Sequence, residues 1–278
     1  MALHLLRCRA EAITTNLGSE HAETLLALHR LAKVLQFRGA LAEAETLQRQ
    51  AVEAQERRLG AAHLATLASV GNLAEVLRLQ GQLAEAEALQ RRVLAGREDQ
   101  LGSKHRKTLV SLNNLALVLQ DQGNLDEAEP FARKCKEGGE ALLGAANPET
   151  LIWVNNLATL LEDQGNLNEA EELYRKALAG GEAHLVRSHP DTLTWVYNLA
   201  GVLMKRQNFA DAEPLMRRAV AGREEHLGAG HPDTLISVYG LAELLEATGS
   251  IAEALGSKGL KGRTFRGWAE VNRFLDLW

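Results

Sequence analysis

The sequence predicts an all-α protein, an α-solenoid of helical hairpins, and three observations carry that reading. The first is a period. Leu-Gly stands at Leu17-Gly18, Leu59-Gly60, Leu101-Gly102, Leu143-Gly144 and Leu227-Gly228, with Leu185-Val186 in the remaining slot, so the register advances by 42 residues each time. A fixed period of this size marks stacked repeats that share a core. The second is composition: hydrophobic residues are 46% and aromatics only 4%, so the core is built from Leu, Ala and Val. Leu and Ala are strong helix formers, and β-branched residues are sparse. The third is apolar spacing within one repeat, which is helical twice with a break between.

Taken in order, residues 2–16 (ALHLLRCRAEAITTN) align on residues 44–58 and read as the second helix of a repeat without its first, which suggests a piece of a longer protein. Complete repeats start at Leu17, Leu59, Leu101, Leu143 and Leu185. In the fourth, Gly144 closes the preceding helix in the left-handed conformation, and Asn147-Pro148-Glu149 opens the next with an N-cap, a first-turn proline and an acidic residue. Leu151, Val154, Ala158 and Leu161 make one apolar stripe, and Gln164-Gly165-Asn166 breaks the helix. Leu167, Ala170, Leu173, Tyr174, Ala177 and Leu178 make the second stripe. Each helix has about 17 residues, roughly 25 Å.

Small residues recur where helices must approach closely: Ala32, Ala74, Ala116, Ala158, Ala200 and Ala242 in first helices, and Ala44, Ala86, Ala128, Ala170, Ala212 and Ala254 in second helices. Gly96, Gly138, Gly180 and Gly222 late in the second helices read as close crossings or bends. Pro130 and Pro214 each delete one backbone bond and are expected to bend their helices slightly. The sixth repeat starts at Leu227 and has a first helix over about Pro232 to Thr248; its second helix begins at Ile251 and loses register after Leu255. The array is thus expected over 1–255, followed by a flexible basic linker over 256–267 (GSKGLKGRTFRG). That linker misses a phosphate-binding loop in spacing, in having Arg263 where lysine is required, and in following a helix. Trp268, Val271, Leu275 and Trp278 define a short amphipathic tail helix over 268–278, expected to pack near the sixth repeat and bury Trp268 and Leu275.

The formal net charge of −5 argues against nucleic acid as a partner. No run of about 18 apolar residues exists to span a membrane. Two cysteines, Cys8 and Cys135, without a CxxC pair, and no visible signal peptide, point to the cytoplasm. Histidine recurs at His21, His63, His105, His189 and His231, with Asn147 in the remaining slot. Neighbouring repeats are about 10 Å apart and zinc ligands about 2 Å from their metal, so these are read as helix caps rather than metal ligands. Cys135 occupies a small buried slot with no activating base and reads as structural. Glutamates of the Glu-Ala-Glu phrases read as a solvated face. No catalytic set stands outside the repeat register, so no enzyme, cofactor or small-molecule substrate is expected.

The phrases Asn-Leu-Ala, then Gly, then Glu-Ala-Glu resemble tetratricopeptide (TPR) repeats. The 42-residue period with His-Pro-Asp-Thr-Leu at His189–Leu193 and His231–Leu235 resembles the kinesin light chain type. The resemblance covers about residues 2–255 and implies a right-handed superhelix whose first helices line a concave peptide-binding groove.

One constellation stands above the repeat background: an asparagine ladder at Asn72, Asn114, Asn156 and Asn198, with Asn113 and Asn155 one residue earlier. An amide donates and accepts at once, so a row of amides can hold an extended peptide backbone or tie neighbouring repeats together. The resemblance implies the former, and ligand contact is expected for Asn113 and Asn155. Helical spacing adds further groove positions, among them Lys33, Arg78, Asp121, Glu162, Tyr197 and Tyr239. The first two repeats lean basic there, while repeats three, four and six lean acidic. A basic groove for acidic, tryptophan-bearing cargo is the kinesin light chain pattern, and the acidic stretch departs from it. The expected function is a non-enzymatic adaptor or scaffold that binds a peptide of a protein partner. The alternative is a structural or sensing arm of a larger signalling ATPase or permanent assembly.

Overall fold

The computed structural model describes residues 2–185 and 187–249, and every regular element among the described residues is a helix. One run holds α1 (Ala2–Leu17), α2 (Ala22–Phe37), α3 (Leu41–Leu59), α4 (Leu64–Leu79), α5 (Leu83–Leu101), α6 (Arg106–Asp121) and α7 (Leu125–Leu143). A second holds α8 (Pro148–Asp163), α9 (Leu167–His184), α10 (Pro190–Lys205), α11 (Phe209–Leu227) and α12 (Pro232–Ala247). The runs belong to two compact units, Met1–Leu143 and Gly144–Trp278. Within each, every helix packs on the next in sequence; α4 also touches α6 in the first unit, and α8 touches α10 and α10 touches α12 in the second. The even-numbered first helices are 16 residues long, and the second helices from α3 onward are 19, or 18 in α9. The linker and tail helix expected beyond Leu255 lie outside the described residues, as does Ala254.

The starts of the first helices explain the His-x-x-Thr-Leu phrase. Nδ1 of His21, His63, His105, His189 and His231 accepts the backbone N–H two residues on, at 3.1–3.2 Å. Asn147 Oδ1 does the same at 2.9 Å. An N-cap acceptor of this kind satisfies one of the donors a helix start leaves orphaned. Three residues after the cap, the hydroxyls of Thr24, Thr66, Thr108 and Thr234 reach back 2.7–2.9 Å to the carbonyls of Gly18, Gly60, Gly102 and Gly228. Cap and threonine together pin the loop between repeats.

The turn inside each hairpin needs a left-handed residue. Gly165 supplies it with φ +82°, but the same slot in the fifth repeat holds Gln207 at φ 61°. The close crossings expected at the late glycines are present. A Cβ on Gly96 would lie 2.7 Å from Leu67 Cδ1, and one on Gly222 would lie 2.6 Å from Leu193 Cδ2. The alanine slots serve the same end: Ala32, Ala44, Ala74, Ala86, Ala158 and Ala170 are completely buried.

Candidate functional site

The face in question is made of first helices. In the first unit these are α2, α4 and α6, and in the second α8, α10 and α12. Within each unit, side chains recur there with the 42-residue register, and a residue on one first helix meets one 43 positions on in the next.

Two sets of such links exist, and they take up much of the expected ligand-binding set. In the first unit, Asn72 Nδ2 approaches His29 Nε2 at 3.0 Å, and Gln48 Nε2 lies 3.4 Å from His29 Nδ1. Burial lowers the His29 pKa below its ordinary value; the Gln48 bond opposes this and nearby Lys33 adds to it. In the second unit, Asn198 Nδ2 donates to Asn155 Oδ1 at 2.9 Å, and Asn155 is only 8% exposed. The sequence expectation set Asn155 facing a ligand; the side chain is buried with its carbonyl oxygen bound to the neighbouring repeat. About two turns further on, Arg78 Nη1 donates to Asp121 at 2.6 Å while its other nitrogens bind Glu75. In the second unit, Lys205 Nζ pairs with Glu162 at 2.8 Å, and the buried Tyr174 hydroxyl donates to the same carboxylate at 2.7 Å. Burial and the Glu162 charge both push the Tyr174 pKa up, so its proton stays on the oxygen.

The remaining positions differ. Asn113 and Asn156 are half-buried. The Tyr197 ring lies under the Arg223 guanidinium, 5.2 Å from its centroid, a cation–π contact. Tyr239 is held to Glu243 by a hydrogen bond that raises its pKa. Lys33 is exposed on α2, beside Phe37, which is 90% exposed. Asn114 breaks the ladder. By register its neighbour is residue 71, a glycine, and no hydrogen bond to the half-buried Asn114 side chain is present among the described residues.

The opposite face is closed by charge. The Glu-Ala-Glu phrases, expected to form a solvated face, carry ion pairs on it. Arg49 binds Glu45 one turn back at 2.8 Å and Glu85 of the next repeat at 2.9 Å. Arg91 does the same with Glu87 and Glu127, at 2.7 and 2.5 Å. Cys135 is fully buried and its thiol contacts the Leu109 carbonyl at 3.2 Å, a packing role. Among the described residues, no cluster of three metal-ligating side chains occurs.

Sequence reasoning missed one alternation at the repeat junctions. Arg97 and Arg223 are buried and reach the next first helix, each donating at 2.8 Å to Ser111 or Ser237. The equivalent slot at residue 181 is a glycine, and there Trp195 stands where the others have serine; a Cβ on Gly181 would collide with its ring. The doubled Gly180-Gly181 facing a tryptophan fourteen residues on was the available signal.

Two family models described as Tetratricopeptide repeat match the chain, one over residues 23–99, 63–138 and 107–183 and the other over 192–233, together more than half its length. No curated protein matches. Among solved structures, the nearly identical TPR-like repeats of a Podosopora anserina protein assigned to the kinesin light chains are 26% identical, with a TM-score of 0.61 over 77% of this chain and 97% of that one. BtubC (BKLC) from P. vanneervenii is 20% identical, with a TM-score of 0.64 over 83% of this chain and 91% of that one. A Rap protein complexed with Competence and Sporulation Factor is 14% identical, with a TM-score of 0.62 over 99% of this chain and 83% of that one. The last two likenesses show the fold alone.

Proposed function

Because the chain belongs to the tetratricopeptide repeat family, we propose that it is a non-enzymatic interaction module whose first-helix faces hold a peptide segment of a protein partner. On this reading it is an adaptor or scaffold of the kinesin light chain type, and its two cysteines, Cys8 and Cys135, which form no disulfide, suit the cytoplasm. No helix among the described residues is long and apolar enough to cross a membrane.

The observation that carries the proposal is Asn114. Asn72 and Asn198 satisfy their amides on the preceding repeat, whereas Asn114 faces a glycine. A half-buried amide with both a donor and an acceptor left over matches one peptide unit of an extended backbone. In the first unit Asn113, also on α6, is the further contact we assign to the peptide; in the second unit, taken by itself, Asn156, Tyr197 and Tyr239 on the first helices are the equivalent candidates. Asn155 and Asn72 act on it through the repeats they tie.

The test is a pull-down with residues 1–255 to obtain a partner peptide, followed by calorimetry on variants. Asn114→Ala is expected to weaken capture by about 1–3 kcal/mol, five- to more than a hundredfold, with an unchanged melting temperature. Full affinity in that variant would sink the assignment. The rival reading, a structural or sensing arm of a larger assembly, draws on the amides and charges already committed between repeats. It predicts that no peptide competes and that partners are lost on mutating the second-helix face instead.

A further inference from the structure

Neighbouring second helices leave a trough between them, floored by the first helix beneath. In two troughs the chain closes this space with an arginine. Between α3 and α5, Arg92 Nη2 donates to Glu56 at 2.6 Å and to the Ala61 carbonyl at 2.9 Å. Between α9 and α11, Arg218 repeats the arrangement 126 residues later, bonding Glu182 and the Arg187 carbonyl. The α5–α7 trough has the same charges at these slots, Glu98 and Lys134.

The α1–α3 trough differs at three slots. Gln50 stands where the others have Arg92, Lys134 and Arg218, and Thr14 stands where they have Glu56, Glu98 and Glu182. Ala10 replaces the larger Val52, Leu94 and Leu178. No strap forms, and a cavity of about 470 Å³ remains, with Leu28, Leu31 and Leu47 at its base and Thr14, Ser19 and Gln50 on its walls. That volume lies in the range of ordinary ligand pockets, about 300–1,000 Å³.

We propose that the α1–α3 trough receives an arginine side chain from a partner segment, in the position that Arg92 and Arg218 hold elsewhere. The acceptors are in place. The Ser19 carbonyl is the register equivalent of the Ala61 carbonyl. The cations at the two ends are already engaged, Arg7 with Glu43 at 2.6 Å and Arg57 with Glu20 and Glu53 at 2.9 and 2.5 Å. Glu11, on the α1 wall, has no ion-pair partner among the described residues. An arginine stem covers the leucine floor while its head reaches Glu11 and the Ser19 carbonyl, as long cationic side chains do on apolar surface. Arg7, which lines the same trough, keeps a buried Nε–H without an acceptor, a donor for a carbonyl of the incoming segment. This site lies on the second-helix face, apart from Asn114, so it stands or falls independently of the peptide groove.

The test is an NMR titration of the full chain with acetyl-arginine amide, and with its citrulline and leucine counterparts. Saturable shifts confined to Thr14, Ser19, Leu28 and Gln50 are expected with arginine only. The double variant T14E/Q50R rebuilds the internal strap; it is expected to abolish those shifts and to raise the melting temperature. Should that variant fail to fold, Glu11→Gln serves instead, with at least a fivefold loss of binding expected. Equal shifts with citrulline or leucine, shifts on another face, or retention of arginine binding by the strapped variant would overturn the proposal.

Discussion

A single side chain shows how much depends on the repeat junction. His29 is half-buried and serves Asn72 and Gln48. Burial holds its pKa below the ordinary 6.5, so the unfolded chain takes up the proton first. Its contribution is therefore complete above that value and is lost as pH falls below it, when the ring becomes a donor on both nitrogens and rejects the Asn72 amide. Melting curves between pH 7.5 and 5 are expected to show a smaller acid loss in His29→Gln than in the parent; equal losses would remove His29 as the cause. In the second unit, Asn198→Ala leaves the buried Asn155 oxygen without its donor and is expected to cost about 1–3 kcal/mol. These ties were only half legible in the sequence. The period and spacing put amides on one face, but both roles of an amide leave the same residue in the same slot. What separates them is the identity of the residue 43 positions back: histidine for Asn72, asparagine for Asn198, glycine for Asn114. The Arg/Ser and Gly/Trp alternation was hidden for the same reason, because it is a property of pairs across repeats rather than of any one helix.

Helices and turns were far more legible, since caps, breaks and close contacts follow from local chemistry. The histidine caps, the glycine crossings and the buried alanines stand where spacing placed them, except that Ala242 is only half-buried and Ala254 lies outside the described residues. The exception is informative. Gln207 takes φ 61° in a turn slot that is glycine in the other hairpins. An L-residue with a Cβ costs roughly 1–2 kcal/mol in that conformation, and glycine gives part of this back as chain entropy when the protein unfolds. Gln207→Gly is expected to stabilise by about 0.5–1 kcal/mol, read as a melting temperature a few degrees higher. A lower melting temperature would mean that the Gln207 side chain makes a compensating contact. Gly222→Ala works in the opposite sense, because its methyl group would meet Leu193 from the facing helix. The Glu-Ala-Glu phrases lie between these cases: helix-surface positions were evident, but the two-sided pairing by Arg49 and Arg91 required the spacing between repeats.

At the scale of the molecule, stability in an array of this kind is a sum of local and nearest-neighbour terms, so it need not be uniform along the chain. The first unit offers a direct comparison. The α4 helix buries Thr66, Leu67, Ser69, Val70, Leu73, Ala74, Val76 and Leu77. In α1, Ala10 is the one buried side chain among the described residues, with Leu3 and Leu6 only partly covered and Leu5 61% exposed. Among the described residues, the ion pair from α1 to α3 is Arg7–Glu43, both side chains 43% exposed. An exposed ion pair contributes about 0–1 kcal/mol, and the trough beside it lacks the arginine strap that closes its counterparts. Both the core term and the neighbour term are thus small at α1. Native-state hydrogen exchange is expected to show α1 amides opening locally, with protection at least about tenfold below that of α4, equivalent to about 1.4 kcal/mol. Raising the salt concentration should widen the gap slightly by screening the Arg7–Glu43 pair while leaving the apolar core of α4 unaffected. Equal protection in the two helices, under exchange conditions that report local opening, would show that the unit unfolds as one block and that the nearest-neighbour account does not hold for it.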